Sequence, residues 1–132
     1  MRVRLTFLPA ALAAASLVLL AGCAPSGPGI ERIVAVDFSQ SQAVPDFDGG
    51  DYTQDDPDDM EEFIELLEEY DIDPATWRGQ DSGCAGNRIT QATLRYADSD
   101  LATQISVDSC NDGFEAEADE LFTDWRQELS GE

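Results

Sequence analysis

Five stretches of the chain carry a regular pattern of apolar and polar positions, and each predicts an element. Ile30 to Phe38 is short and rich in β-branched residues, which reads as a strand. Val34, Val36 and Phe38 are expected on one face, with Ile33 and Ala35 on the other. Both faces are partly apolar, so a central place in a sheet is expected. Ser39 to Asp56 holds Pro45, Gly49-Gly50 and several Asp, and reads as a loop. Met60, Phe63, Ile64, Leu67 and Tyr70 then recur at helical spacing and make one apolar stripe. Asp56 suits the cap of this helix and Pro57 its first position. Asp58, Asp59, Glu61 and Glu62 crowd the positive end of its dipole. Pro74 biases Asp73 away from helical dihedrals, so the helix is expected to end near Tyr70. Trp77 follows as a lid over the edge of the core.

Arg88 to Ala97 and Leu101 to Asp108 read as a β-hairpin turning at Ala97-Asp98-Ser99-Asp100. Setting Tyr96 opposite Leu101 places Leu94 opposite Thr103, Ala92 opposite Ile105 and Thr90 opposite Val107. That register makes one face mostly apolar and leaves Gln91, Thr93, Arg95, Ala102, Gln104 and Ser106 on the other. A final helix is expected from Asp112 to Ser130, with a stripe of Phe114, Ala118, Leu121, Phe122, Trp125 and Leu129 and a stop at Gly131. The order is strand, helix, strand, strand, helix. Two amphipathic helices need an apolar surface, and one sheet face offers it. The expected fold is therefore α+β, a small two-layer sandwich of β-α-β-β-α order. Its antiparallel sheet carries both helices on one face. No internal repeat is visible.

The N-terminal stretch does not belong to this pattern. Arg2 and Arg4 precede an apolar run from Leu5 to Leu20, and small residues follow, as in an export signal. Leu20-Ala21-Gly22-Cys23 closely resembles the bacterial lipobox. The resemblance implies cleavage before Cys23, a diacylglycerol on its sulfur and often further acylation, palmitate included, of the new N-terminus. Two or three acyl chains hold a protein at a bilayer where one holds weakly. The expected organisation is a signal peptide at 1–22, a lipidated Cys and flexible tether at 23–29, and one small acidic domain at 30–132. Alternating Pro and Gly in Ala24 to Gly29 suit a tether. The resemblance covers residues 1 to 23 and says nothing about activity.

Charge narrows the function further. The 132 residues hold 28 Asp and Glu against 7 Arg, with neither Lys nor His, for a net charge of −21. Removal of Arg2 and Arg4 with the signal would take it to about −23. Such a polyanion is repelled by nucleic acid, so no nucleic-acid partner is expected. Anionic headgroups would likewise push the domain off the membrane surface on its tether. The lack of His excludes His-based triads and His metal ligands.

With Cys23 assigned to lipid by the resemblance, Cys84 and Cys110 remain as an even pair in an exported chain, and a disulfide is expected. The loop it closes is worth roughly 3.5 kcal/mol in the chain-entropy model. The predicted hairpin register brings both Cys to its open end, where the bond would clamp it. A reactive or metal-binding thiol pair has no Cys-x-x-Cys spacing to support it.

The remaining chemistry is sparse. Asp46, Asp48 and Asp51 open an acidic loop, 46–59, that is a candidate for binding a hard cation. The spacing begins as an EF-hand does, then departs, with Asp51 where Gly is required and Pro57 where the bidentate Glu belongs. Paired carboxylates hydrolyse glycosides in other proteins, but among 28 of them a chance pair carries no specificity. Trp77, Tyr96 and Trp125 are candidates for an aromatic surface, against which core packing competes. Arg88 and Arg95 are expected to pair with carboxylates. Ser82 to Gly86 is similar, over a handful of residues, to the Gly-rich turn of small bacterial metalloprotease inhibitors of the emfourin type. The order of elements differs, and no inhibitory residue carries over. The expectation is a lipid-anchored, non-enzymatic protein-interaction module on the extracytoplasmic side of a bacterial cell membrane. It needs no cofactor and meets an envelope protein. The alternatives are a ligand- or cation-binding lipoprotein using loop 46–59 and, more remotely, a small carboxylate-based hydrolase.

Overall fold

The structure is a computed structural model that describes residues 27–80 and 84–131. The expected signal, Cys23 and the first half of the tether lie outside the described residues. A 3-10 turn at Ile30–Arg32 leads into β1 (Ile33–Gln42), then β2 (Tyr52–Gln54), α1 (Pro57–Glu69), β3 (Arg88–Tyr96), β4 (Ala102–Asp108) and α2 (Phe114–Ser130). The four strands form one antiparallel sheet in the order β2-β1-β3-β4. Both helices cover the same face of it. Phe38, Phe63, Phe122 and Trp125 meet there with ring centroids 5.3–6.0 Å apart. The α+β sandwich and the central place of β1 are as the pattern predicts, and β2 is an addition. Among the described residues no helix is long and apolar enough to cross a membrane.

The hairpin has the predicted register, with Leu94 opposite Thr103, Ala92 opposite Ile105 and Thr90 opposite Val107. Leu101 lies outside the ladder and is exposed. The cap of α1 is also as expected: the Asp56 side chain accepts from the Asp58 N–H, with Pro57 next. The end of α1 has a different cause from the one expected. Asp71 adopts φ 52°, so its N–H reaches the Glu68 carbonyl and the Ile72 N–H reaches that of Leu67. This is a Schellman closure with Asp in the place usually taken by Gly. Pro74 comes too late to be the stop.

Three further expectations are corrected. First, a bulge interrupts β1 between Ile33 and Ala35, opposite β3. It shifts the alternation, so Ile33, Val36 and Phe38 all enter the core while Val34 is 47% exposed. Second, the loop expected over 39–56 is shorter. β1 runs on to Gln42, and Thr53 and its neighbours return as β2 against Val36–Phe38. This return brings Gly49 against the Gln40 backbone, where any Cβ would collide with the Gln40 carbonyl. The Gln40 N–H bonds the Gly49 carbonyl there. Third, α2 starts at Phe114, not Asp112, and Leu129 is exposed because the core ends one turn earlier at Trp125. Gly131 stops α2 in the left-handed conformation, as expected.

Candidate functional site

The disulfide Cys84–Cys110 is formed, with Cα atoms 6.0 Å apart, at the open end of the hairpin. Beneath it the core turns polar. The Arg88 guanidinium makes a two-pronged ion pair with Asp119 of α2, its Nε donating to Oδ1 at 2.9 Å. Gln40 Nε2 donates to the hydroxyls of Thr90 and Thr123 at 3.1 and 3.2 Å. Glu115 is almost wholly buried. Its carboxylate accepts from the Asp108 N–H at 2.8 Å, the Gln80 N–H at 3.0 Å and Asn111 Nδ2 at 3.0 Å. It thereby ties the segment after α1 to the end of β4. The sequence did hold a signal for this carboxylate: Glu115, Ala118, Asp119 and Phe122 share one helical face at i, i+3, i+4 and i+7. Glu115 closes backbone N–H groups and Asp119 a neighbouring charge, each linking α2 to segments distant in the chain, so this end is a clamp.

The other residues singled out in the sequence take ordinary structural places. Arg95 pairs with Asp37, which also accepts from the Thr53 hydroxyl, on the sheet face away from the helices. Trp77 is half-buried, edge-on to Phe114 at 5.2 Å, and Trp125 and Tyr96 belong to the core. Asp48 accepts from the Gly50 N–H within its own loop. Among the described residues no three His, Cys, Asp or Glu side chains are grouped to hold a metal ion, and Asp46, Asp48 and Asp51 are not brought into such a group.

The outer side of the helical layer differs. α1 carries Asp58, Asp59, Glu61, Glu62, Glu65, Glu68 and Glu69 and no basic residue. Asp59 is held above the ordinary carboxylate range, chiefly by burial and then by the charge of Asp56. The Trp125 indole pulls the other way but closes no hydrogen bond of normal geometry with it. Where α1 meets α2, Tyr70 donates to Glu117, a bond that raises its phenol.

A groove of about 530 Å³ opens between the start of β1 and α1. Its floor is Ile33, Val34, Pro57, Met60 and Ile64. Glu31, Asp55, Glu61, Glu65 and Glu68 form its rim. Two local events create it. The bulge turns Val34 outward, and β2 pairs only with Val36–Phe38, so on the side of β1 away from β3 no strand pairs with Ile33–Ala35. The chain leaves β2 at once for α1, its turn held by Gln54 Oε1 accepting from the N–H groups of Asp55 and Asp56. Among the described residues the ion pairs are Arg32–Asp98, Arg88–Asp119 and Arg95–Asp37, and none involves the rim. Periodicity could not reveal the groove, because it depends on a bulge and on where a three-residue strand stops.

Comparison with protein-family models, with curated proteins and with solved structures finds no match to this chain.

Proposed function

We propose that this protein is a lipid-anchored, non-enzymatic interaction module of the bacterial cell envelope. It is held on the extracytoplasmic side through Cys23 and meets a protein partner with its helical face. The observation that carries this reading is the groove beside α1. There, Val34 and Ile64 are left open to water inside a ring of carboxylates that form no ion pair among the described residues. The Leu20-Ala21-Gly22-Cys23 resemblance supports the anchor, and the negative charge supports a domain standing off an anionic surface.

Two measurements test the reading. Cys23→Ser is expected to lose the lipid label and leave the membrane fraction; a labelled, membrane-bound variant refutes the anchor. A photo-crosslinking residue in place of Ile64 is expected to give a discrete adduct in the producing cell's envelope, whereas one in place of Thr93, on the opposite sheet face, is not. No adduct from Ile64, or equal adducts from both positions, refutes the helical face as the interaction surface.

A further inference from the structure

We propose that the groove between β1 and α1 binds a basic, extended segment of a partner protein. An apolar side chain of that segment would lie over Val34 and Ile64, with Lys or Arg on either side of it. The inference rests on the interaction-module reading and adds the chemistry of the partner. The choice of occupant follows from charge. A second copy would bring the same acidic rim and a net charge of −21, and nucleic acid or anionic headgroups would also be repelled. A cationic segment alone answers both the rim and the floor. Its form follows from spacing. Glu61 and Glu65 stand one helical turn apart, about 6 Å along the axis. Alternate side chains of an extended chain are about 6.7 Å apart. Basic residues at every second position therefore match the carboxylates along α1. The intervening side chains face the other way, one of them towards the floor. The edge of β1 away from β3, which β2 leaves uncovered at Ile33–Ala35, leaves room for such a chain alongside.

The test titrates a fluorescent, end-capped hexapeptide of alternating Lys and Val into the full chain in non-ionic detergent, read by polarisation against detergent alone. Saturable binding that weakens as NaCl rises is expected. Glu61→Gln with Glu68→Gln is expected to weaken it about five-fold, since each exposed ion pair is worth roughly a two-fold change in affinity and the two multiply. Glu62→Gln with Glu69→Gln makes the same change in net charge on the side of α1 that faces α2, and is expected to change affinity less than about two-fold. Val34→Ser, at an exposed position, is expected to weaken binding with the unfolding midpoint unchanged. Equal weakening by the two Glu pairs would show diffuse attraction and overturn the proposal. So would absence of saturable binding, or displacement of the peptide by micromolar Ca²⁺. An Ile64 adduct in the envelope without peptide binding overturns the basic-segment proposal alone. No Ile64 adduct overturns the module reading on which it stands.

Discussion

Carboxylates occupy two contrasting settings in this domain. At the disulfide end, Glu115 and Asp119 are buried, and every one of their contacts closes a donor: the N–H groups of Gln80 and Asp108, the Asn111 amide and the Arg88 guanidinium. Along α1, Glu61, Glu62, Glu65, Glu68 and Glu69 are exposed, crowded with their own kind and outside every ion pair of the described residues. The same functional group therefore holds the fold together in one region and strains it in the other. A small domain of high negative charge tolerates the second setting because water and salt screen exposed charges. It tolerates the first only while each buried charge keeps its partners.

The largest way to break this contrast is Arg88→Met, which leaves Asp119 buried without its guanidinium. Urea unfolding is expected to show a loss of about 3 kcal/mol or more. Removing the clamp above it by Cys84→Ser with Cys110→Ser is expected to cost about 3 kcal/mol, provided the wild type is compared in its oxidised form. Glu115→Gln should cost about 2 kcal/mol, because an amide turns at least one donor towards the N–H groups that the carboxylate now accepts from.

Neutralising carboxylates of α1 should do the opposite. Asp59→Asn is expected to raise stability modestly at pH 7. Burial holds the folded-state value of Asp59 above its ordinary 3.8, so the folded state binds that proton more tightly than the unfolded chain. The stability Asp59 contributes is fully present below 3.8 and is lost as pH rises through the higher folded value. Variant and wild type should therefore converge in stability towards pH 3 and separate at neutral pH, which unfolding midpoints at the two pH values will show. The smallest effect belongs to salt. Raising NaCl from low to moderate concentration should lift the wild-type Tm by relieving repulsion along α1. The lift should shrink in the Glu62→Gln, Glu69→Gln variant. A Tm that stays flat or falls would mean that the exposed carboxylates do not oppose folding.

Features set by near neighbours in the chain were legible without the fold. Alternation in Arg88–Tyr96 and Ala102–Asp108 allows one register that keeps Ala92, Leu94, Ile105 and Val107 on a common face. Asp56-Pro57 starts a helix through groups one or two residues away. Two Cys brought to one end of a hairpin leave little choice of bond. Their common cause is that the partners lie within a turn or across a single tight ladder, so period and spacing determine them.

The tertiary structure decided what depends on partners far along the chain. Val34 has the same chemistry as Val36, and only the bulge against β3 sends one to water and the other to the core. Tyr52–Gln54 carries no strand pattern of its own and becomes β2 because Val36–Phe38 offers an open edge. The pattern puts Glu115 on the helical face of Ala118 and Phe122 but does not supply the partners that let a charge be buried there. Glu115 is buried because the Gln80 and Asp108 N–H groups, 35 and 7 residues away, converge on it. Burial of a charge is a property of the assembled surroundings, whereas alternation and capping are properties of the local chain. The groove belongs with the first kind, since its floor and rim come from Glu31, Val34, Asp55 and α1, which meet only when the sheet and the helix are both in place.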